Sequence, residues 1–96
     1  MLLGRMHAPL TPVYFVYILQ CGDGSLYTGI TTDLVRRLKQ HVEGTGGHYT
    51  RARKAVRIVY SERKRNRSTA SRREAEIKSW PRAKKLGLIK PAGTNS

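Results

Sequence analysis

Tyr17, Tyr27 and Arg37 follow one another at intervals of ten residues, His41 comes one helical turn after Arg37, and Glu74 lies in a later segment. Phenols, an imidazole and a carboxylate can hold or move a proton, and a guanidinium grips an anion through a fixed fork of donors. Singly, each has a plainer use: a strand tyrosine as core, a helix arginine in solvent, an inward glutamate in an ion pair. The set acts together only if the surrounding elements bring it together.

The first element is read from Val13 to Leu19, continuously apolar with β-branched and aromatic residues, which suits a central strand buried on both faces. Cys21-Gly22-Asp23-Gly24-Ser25 supplies turn residues, and Leu26 to Ile30 resumes strand character, so the two runs form a hairpin. Side chains alternate between faces along a strand. Tyr17 and Tyr27 therefore share a face only if opposed residue numbers sum to an even value.

Thr31-Thr32-Asp33 is a helix start, and the helix is expected over Asp33 to Glu43. Leu34, Val35, Leu38 and Val42 form its apolar stripe, Arg37 and His41 line one border, and Arg36 points to solvent. Gly44-Thr45-Gly46-Gly47 opens a loop that carries His48-Tyr49-Thr50-Arg51, where an aromatic among cations suits a base or a phosphate. Val56 to Tyr60 is a third strand, and Arg63 to Arg67 a charged connection. Ser68 caps a helix through Glu74 and Ile77 toward Trp80, and a last helix from Pro81 ends near Gly87. Helical spacing by itself does not separate Glu74 from Glu76 as the inward carboxylate. Residues 1–12 read as a frayed leader and 91–96 as a disordered tail, leaving one domain over 13–90.

Charge names the class of partner. The chain has 19 Lys and Arg against six acidic residues, a net +13 in 96 residues, and 18 of those cations lie at or after Arg36. Such an excess points to a polyanion, nucleic acid first, with a ribosomal-type basic protein as the plainer alternative. No stretch approaches a membrane span. Cys21 is the single cysteine, which excludes an internal disulfide and fits a reducing cytoplasm. The three histidines are too scattered for a zinc site.

Over roughly residues 13–90 the sequence resembles a GIY-YIG nuclease domain of the short, free-standing bacterial type. The resemblance rests on Phe15-Val16-Tyr17 and Tyr27-Thr28-Gly29 for the two tripeptides, on Thr32-Asp33-Leu34 leading to Arg37 and His41, and on Glu74-Ala75-Glu76-Ile77-Lys78. Phe15 departs from the glycine usual in the family, and Leu86 stands where several members carry asparagine. The resemblance implies an α+β fold, a small three-stranded antiparallel sheet flanked by helices. It also implies a monomeric endonuclease that hydrolyses DNA phosphodiester bonds with one divalent ion, Mg²⁺ or Mn²⁺, as in DNA repair or recombination. The family's metal-binding glutamate precedes the lysine by four residues, which selects Glu74. Arg37 would clamp the phosphate, Tyr27 or else Tyr17 would take a proton from water, and His41 would assist as acid/base or phosphate donor. Tyr49, Thr50, Arg51, Arg53, Lys54 and Lys78 are the expected nucleic-acid contacts. A binding module that keeps the fold without turnover is the alternative function.

Overall fold

The computed structural model describes residues 13–89, so the expected leader and tail fall outside the described residues. The elements run β1 (Tyr14–Cys21), β2 (Leu26–Thr31), α1 (Leu34–Val42), α2 (His48–Arg53), β3 (Ala55–Lys64), α3 (Arg67–Lys78) and α4 (Arg82–Ile89). The sheet is antiparallel throughout with order β2-β1-β3. The fold is thus the expected three-stranded α+β arrangement, with the apolar first run as its central strand.

The register meets the even-sum condition: Tyr17 opposes Gly29 and Leu19 opposes Tyr27. The two tyrosines therefore lie on one face of the sheet. On the opposite face Val16 and Ile18 pack with Ala70 and Ile77 of α3 into the apolar core. Val16, Tyr17, Ile18 and Leu19 are all fully buried, so β1 divides two packed layers: α3 below, and the helix carrying His41 above.

Several boundaries differ from the sequence reading. β3 is longer than expected and absorbs Arg63 and Lys64, because pairing with β1 continues to Phe15↔Arg63 and Tyr14↔Lys64. A charged run is at home on an edge strand, where it also discourages pairing with other chains. The cap of α3 is Asn66 rather than Ser68, its Oδ1 accepting the Thr69 backbone N–H at 2.8 Å. The segment at 48–53 is a short helix, not a loop. α4 runs two residues past Gly87.

One ion-pair network fastens α3 to the edge strand. Arg73 donates to Glu62 through Nε and Nη2 at 2.8–3.1 Å and to Glu76 through Nη1 at 2.9 Å, while Tyr60 donates to Glu62 at 2.6 Å. Burial alone would push the Glu62 carboxyl up. The hydrogen bonds from Arg73 and Tyr60, with the Arg73 charge and Lys64, outweigh it and hold the group at about 2. A carboxyl depressed from 4.5 to about 2 on folding adds at most about 3 kcal/mol above its unfolded value. That contribution is complete above pH 4.5 or so and disappears as pH falls toward 2. Glu62→Gln should therefore lower the thermal midpoint at pH 7 and flatten the wild-type decline in stability below pH 4.5. Calorimetry that gives parallel acid limbs for the two proteins would contradict this assignment.

Candidate active site

The tyrosine face is completed by α1. Asp33 accepts the Arg36 backbone N–H at 3.0 Å and starts the helix. The helix then turns Arg37 and His41 toward the sheet, not the full apolar stripe. Val35 is 82% exposed and Val42 55%, whereas His41 is the buried residue of α1. The expected inward stripe is therefore corrected: Leu34 and Leu38 stay half-buried, and Arg37 and His41 take the inner places of Val35 and Val42. Polar side chains occupy those places because each finds partners there.

His41 Nε2 lies 2.9 Å from Tyr17 Oη, and its Nδ1 lies 2.7 Å from Thr50 Oγ1. Arg37 Nε donates to the same Tyr17 oxygen at 3.4 Å. In one consistent set of donors the Tyr17 hydroxyl hydrogen goes to Nε2 and the Nδ1 hydrogen to Thr50. Burial, then the neighbouring Arg37 charge, lowers the His41 pKa, which keeps the imidazole neutral at neutral pH. Burial pushes the Tyr17 phenol above its ordinary 10, and the hydrogen bond from Arg37 offsets part of that rise. Tyr17 is thus a neutral hydroxyl that anchors other groups.

Two glycines make this close packing possible. A methyl group on Gly29 would stand 2.6 Å from Tyr17 Oη and 2.8 Å from its Cζ, and one on Gly46 would stand 2.5 Å from His41 Nδ1. Either side chain would displace the hydroxyl or the imidazole. The Gly46 carbonyl also accepts from Arg37 Nη2 at 3.2 Å, and Gln40 Oε1 accepts from Nη1 at 2.9 Å. Three of the five guanidinium N–H groups are spent on fixing the fork, so among the described residues one on each terminal nitrogen is left for a ligand.

Tyr27 is half-buried, its ring 6.3 Å from Tyr17, 5.2 Å from His41 and 5.6 Å from Tyr49. Tyr49 is 39% exposed and extends the aromatic face outward, with the Arg53 guanidinium 4.5 Å above its ring. Arg51 and Lys54 are exposed beside it. Thr50 departs from expectation. It is 1% exposed, because the short helix α2 turns it inward to His41, so it is a support of the site and not a surface contact. His41 likewise has both ring nitrogens engaged inside the protein and offers no donor to a phosphate.

Glu74 lies on α3 with its side chain 21% exposed and accepts from Lys78 Nζ at 3.2 Å. Lys78, expected among the nucleic-acid contacts, is tied to that carboxylate, although its side chain remains half exposed. The Glu74 charge is the last and smallest of the causes that raise the Tyr17 pKa, behind burial and Tyr27. Glu76 differs: its side chain is 55% exposed and bonded to Arg73. Gln40, Gly46 and the role of Thr50 were not found from the sequence. Only Gly29 carried a signal there, as the last residue of Tyr27-Thr28-Gly29.

Comparison with known proteins identifies the family. The GIY-YIG catalytic domain profile matches residues 13–86. A UPF0213 protein of Desulfotalea psychrophila is 50% identical over 80 residues, covering 82% of this chain and 73% of that one. One from Staphylococcus aureus is 49% identical over 77 residues, covering 80% and 94%. The solution structure of a UPF0213 protein from Bacillus halodurans superposes with a TM-score of 0.54 at 43% identity, covering 86% of this chain and 88% of that one. The chain therefore belongs to the GIY-YIG family, among its short UPF0213 members.

Proposed function

We propose that this protein is an endonuclease that hydrolyses DNA phosphodiester bonds with the help of one divalent cation, and that repair or recombination is where such cutting serves. The observation that carries the reading is the pinned guanidinium of Arg37, held by Tyr17, Gln40 and Gly46 with two donors unengaged among the described residues, on the sheet face that Tyr27 shares with Tyr17. A fork fixed in advance suits a phosphate whose charge grows during attack, since no reorganisation is needed at that moment. The basic surface supplies general attraction for the polyanion.

The two tyrosines divide the work. Tyr17 is sealed from solvent and keeps Arg37 and His41 in place, so the group that meets water is Tyr27. Its oxygen orients the attacking water and, in the phenolate form, accepts its proton to give the phenol. Arg37 binds the non-bridging oxygens of the scissile phosphate through its two remaining N–H groups. Tyr49 and Arg53 form an exposed aromatic and cationic flank against which an adjoining nucleotide can stack.

Glu74 is the residue suited to hold the cation. A single carboxylate fits an ion that keeps most of its ligands as water and phosphate oxygens, as Mg²⁺ and Mn²⁺ do, and is a poor match for zinc. Among the described residues no three His, Cys, Asp or Glu side chains converge on a point. When bound, the ion would supply charge neutralisation at the phosphate and a more acidic water. Lys78 neutralises Glu74 from one turn away and has to share it.

The test is a panel of end-labelled single-stranded, duplex, nicked and branched DNAs incubated with and without Mg²⁺ or Mn²⁺. At least one substrate should be cut, in a metal-dependent way. Tight binding with no cleavage of any substrate by either ion would instead select the binding module.

A further inference from the structure

Arg37 opens on two sides. One is the tyrosine face. The other is a cleft of about 370 Å³ between β2, the start of α1 and the start of α3, lined by Tyr14, Ile30, Thr32, Arg36, Arg37 and Arg67. Three guanidinium groups from two helices thus border one open depression, and among the described residues no carboxylate lines it. Among the described residues neither Arg36 nor Arg67 pairs with an acidic side chain, whereas Arg53 and Arg73 do. The nearest acid in sequence, Asp33, gives its Oδ1 to the Arg36 backbone N–H. Arg36 is exposed as the sequence suggested, but it does not face away: neighbours on a helix are only about 100° apart, and both arginines reach this cleft.

Like charges gathered without a counter-ion repel one another, and an anion relieves the repulsion. Resting on the proposed nuclease reading, we propose that this cleft binds the DNA phosphate next to the scissile one on the strand being cut, with Arg36 and Arg67 as its ligands. Arg37, shared by cleft and site, sets the order: its free donors take the scissile phosphate, and the strand leaves past Thr32 toward Arg67. Tyr14 and Ile30 give the cleft an apolar wall against which a sugar can lie. The contact is to backbone and carries no base preference.

The experiment measures anisotropy of a labelled single-stranded oligonucleotide without divalent metal, so that it is not cut, over a range of salt. Four proteins are compared: wild type, Arg37→Ala, Arg36→Ala/Arg67→Ala, and Arg57→Ala/Arg82→Ala, the last losing the same charge at exposed positions outside the cleft. Loss of two phosphate contacts on a single strand should make the slope of log K against log salt shallower by about 1.4 in the Arg36/Arg67 variant. The Arg57/Arg82 variant should keep the wild-type slope to within a few tenths. All substituted residues of the two double variants are exposed, and circular dichroism verifies folding. Equal flattening in both double variants, or an unchanged slope in the Arg36/Arg67 variant, overturns the cleft while leaving the nuclease reading intact. A flat salt response in the wild type overturns both.

Discussion

Arg37→Ala should cut the single-turnover rate on the preferred substrate about 10²- to 10³-fold, the range typical for losing one donor aimed at developing charge. The loss belongs to the rate more than to affinity, because most of the 19 cations remain to hold DNA. Arg37→Lys should rescue little. Lysine keeps the charge but cannot reach Tyr17 Oη, Gln40 Oε1 and the Gly46 carbonyl at once while still presenting two parallel donors. Arg36→Ala should behave in the opposite way, weakening binding at moderate salt and leaving the saturated rate near wild type. Rapid-quench assays at saturating protein separate the two effects. Full recovery with lysine would mean that charge alone matters and that the three tethers of Arg37 are incidental.

How much of this could be read from the chain alone depended on whether a signal was local. The central strand was legible because Val16 to Leu19 is uninterrupted, and the shared face of Tyr17 and Tyr27 reduced to one parity condition, which the register of Tyr17 on Gly29 meets. The orientation of α1 was not legible. An apolar stripe predicts the buried face only while polar residues lack better partners, and here Tyr17 and Thr50 reward an inward His41 more than the sheet rewards Val35 or Val42. Helix α2 was hidden for a related reason. It has six residues, Gly47 before it provides no side-chain cap, and its stability comes from one buried hydroxyl and the rings beside Tyr49. Those are contacts between distant segments, invisible to propensity.

The choice between Glu74 and Glu76 shows the same limit. Helical spacing left it open, and the resemblance chose Glu74. In the structure the two differ in surroundings: Glu76 is bonded to Arg73 and 55% exposed, whereas the Glu74 side chain is 21% exposed and pairs with Lys78. A ligand for a cation beside a phosphate has to be ionised, partly enclosed and left with an oxygen that no structural pair takes up. Glu62 is ionised and enclosed, but Arg73, Tyr60 and Lys64 use up its oxygens.

Glu74→Gln should therefore reduce cleavage to the level seen without added metal, at any concentration of Mg²⁺ or Mn²⁺ up to millimolar. The amide keeps the shape of the side chain and removes the charge that a hard cation requires. Binding to DNA should be kept or become slightly tighter, for two reasons that act together. A carboxylate facing phosphate without its cation is repulsive, and its loss frees Lys78, now 3.2 Å away, to meet the backbone. Stability should change little, because the Glu74–Lys78 pair spans one turn at the surface and such pairs contribute about 0.5 kcal/mol or less. Glu76→Gln should leave cleavage unchanged. It removes one of the carboxylates on Arg73, so its effect should appear in the thermal midpoint instead. Metal titrations of cleavage, run beside anisotropy measured without metal, distinguish these outcomes. An unaltered metal response in Glu74→Gln would remove this residue from the site, and a parallel loss in Glu76→Gln would move the cation to the other side of α3.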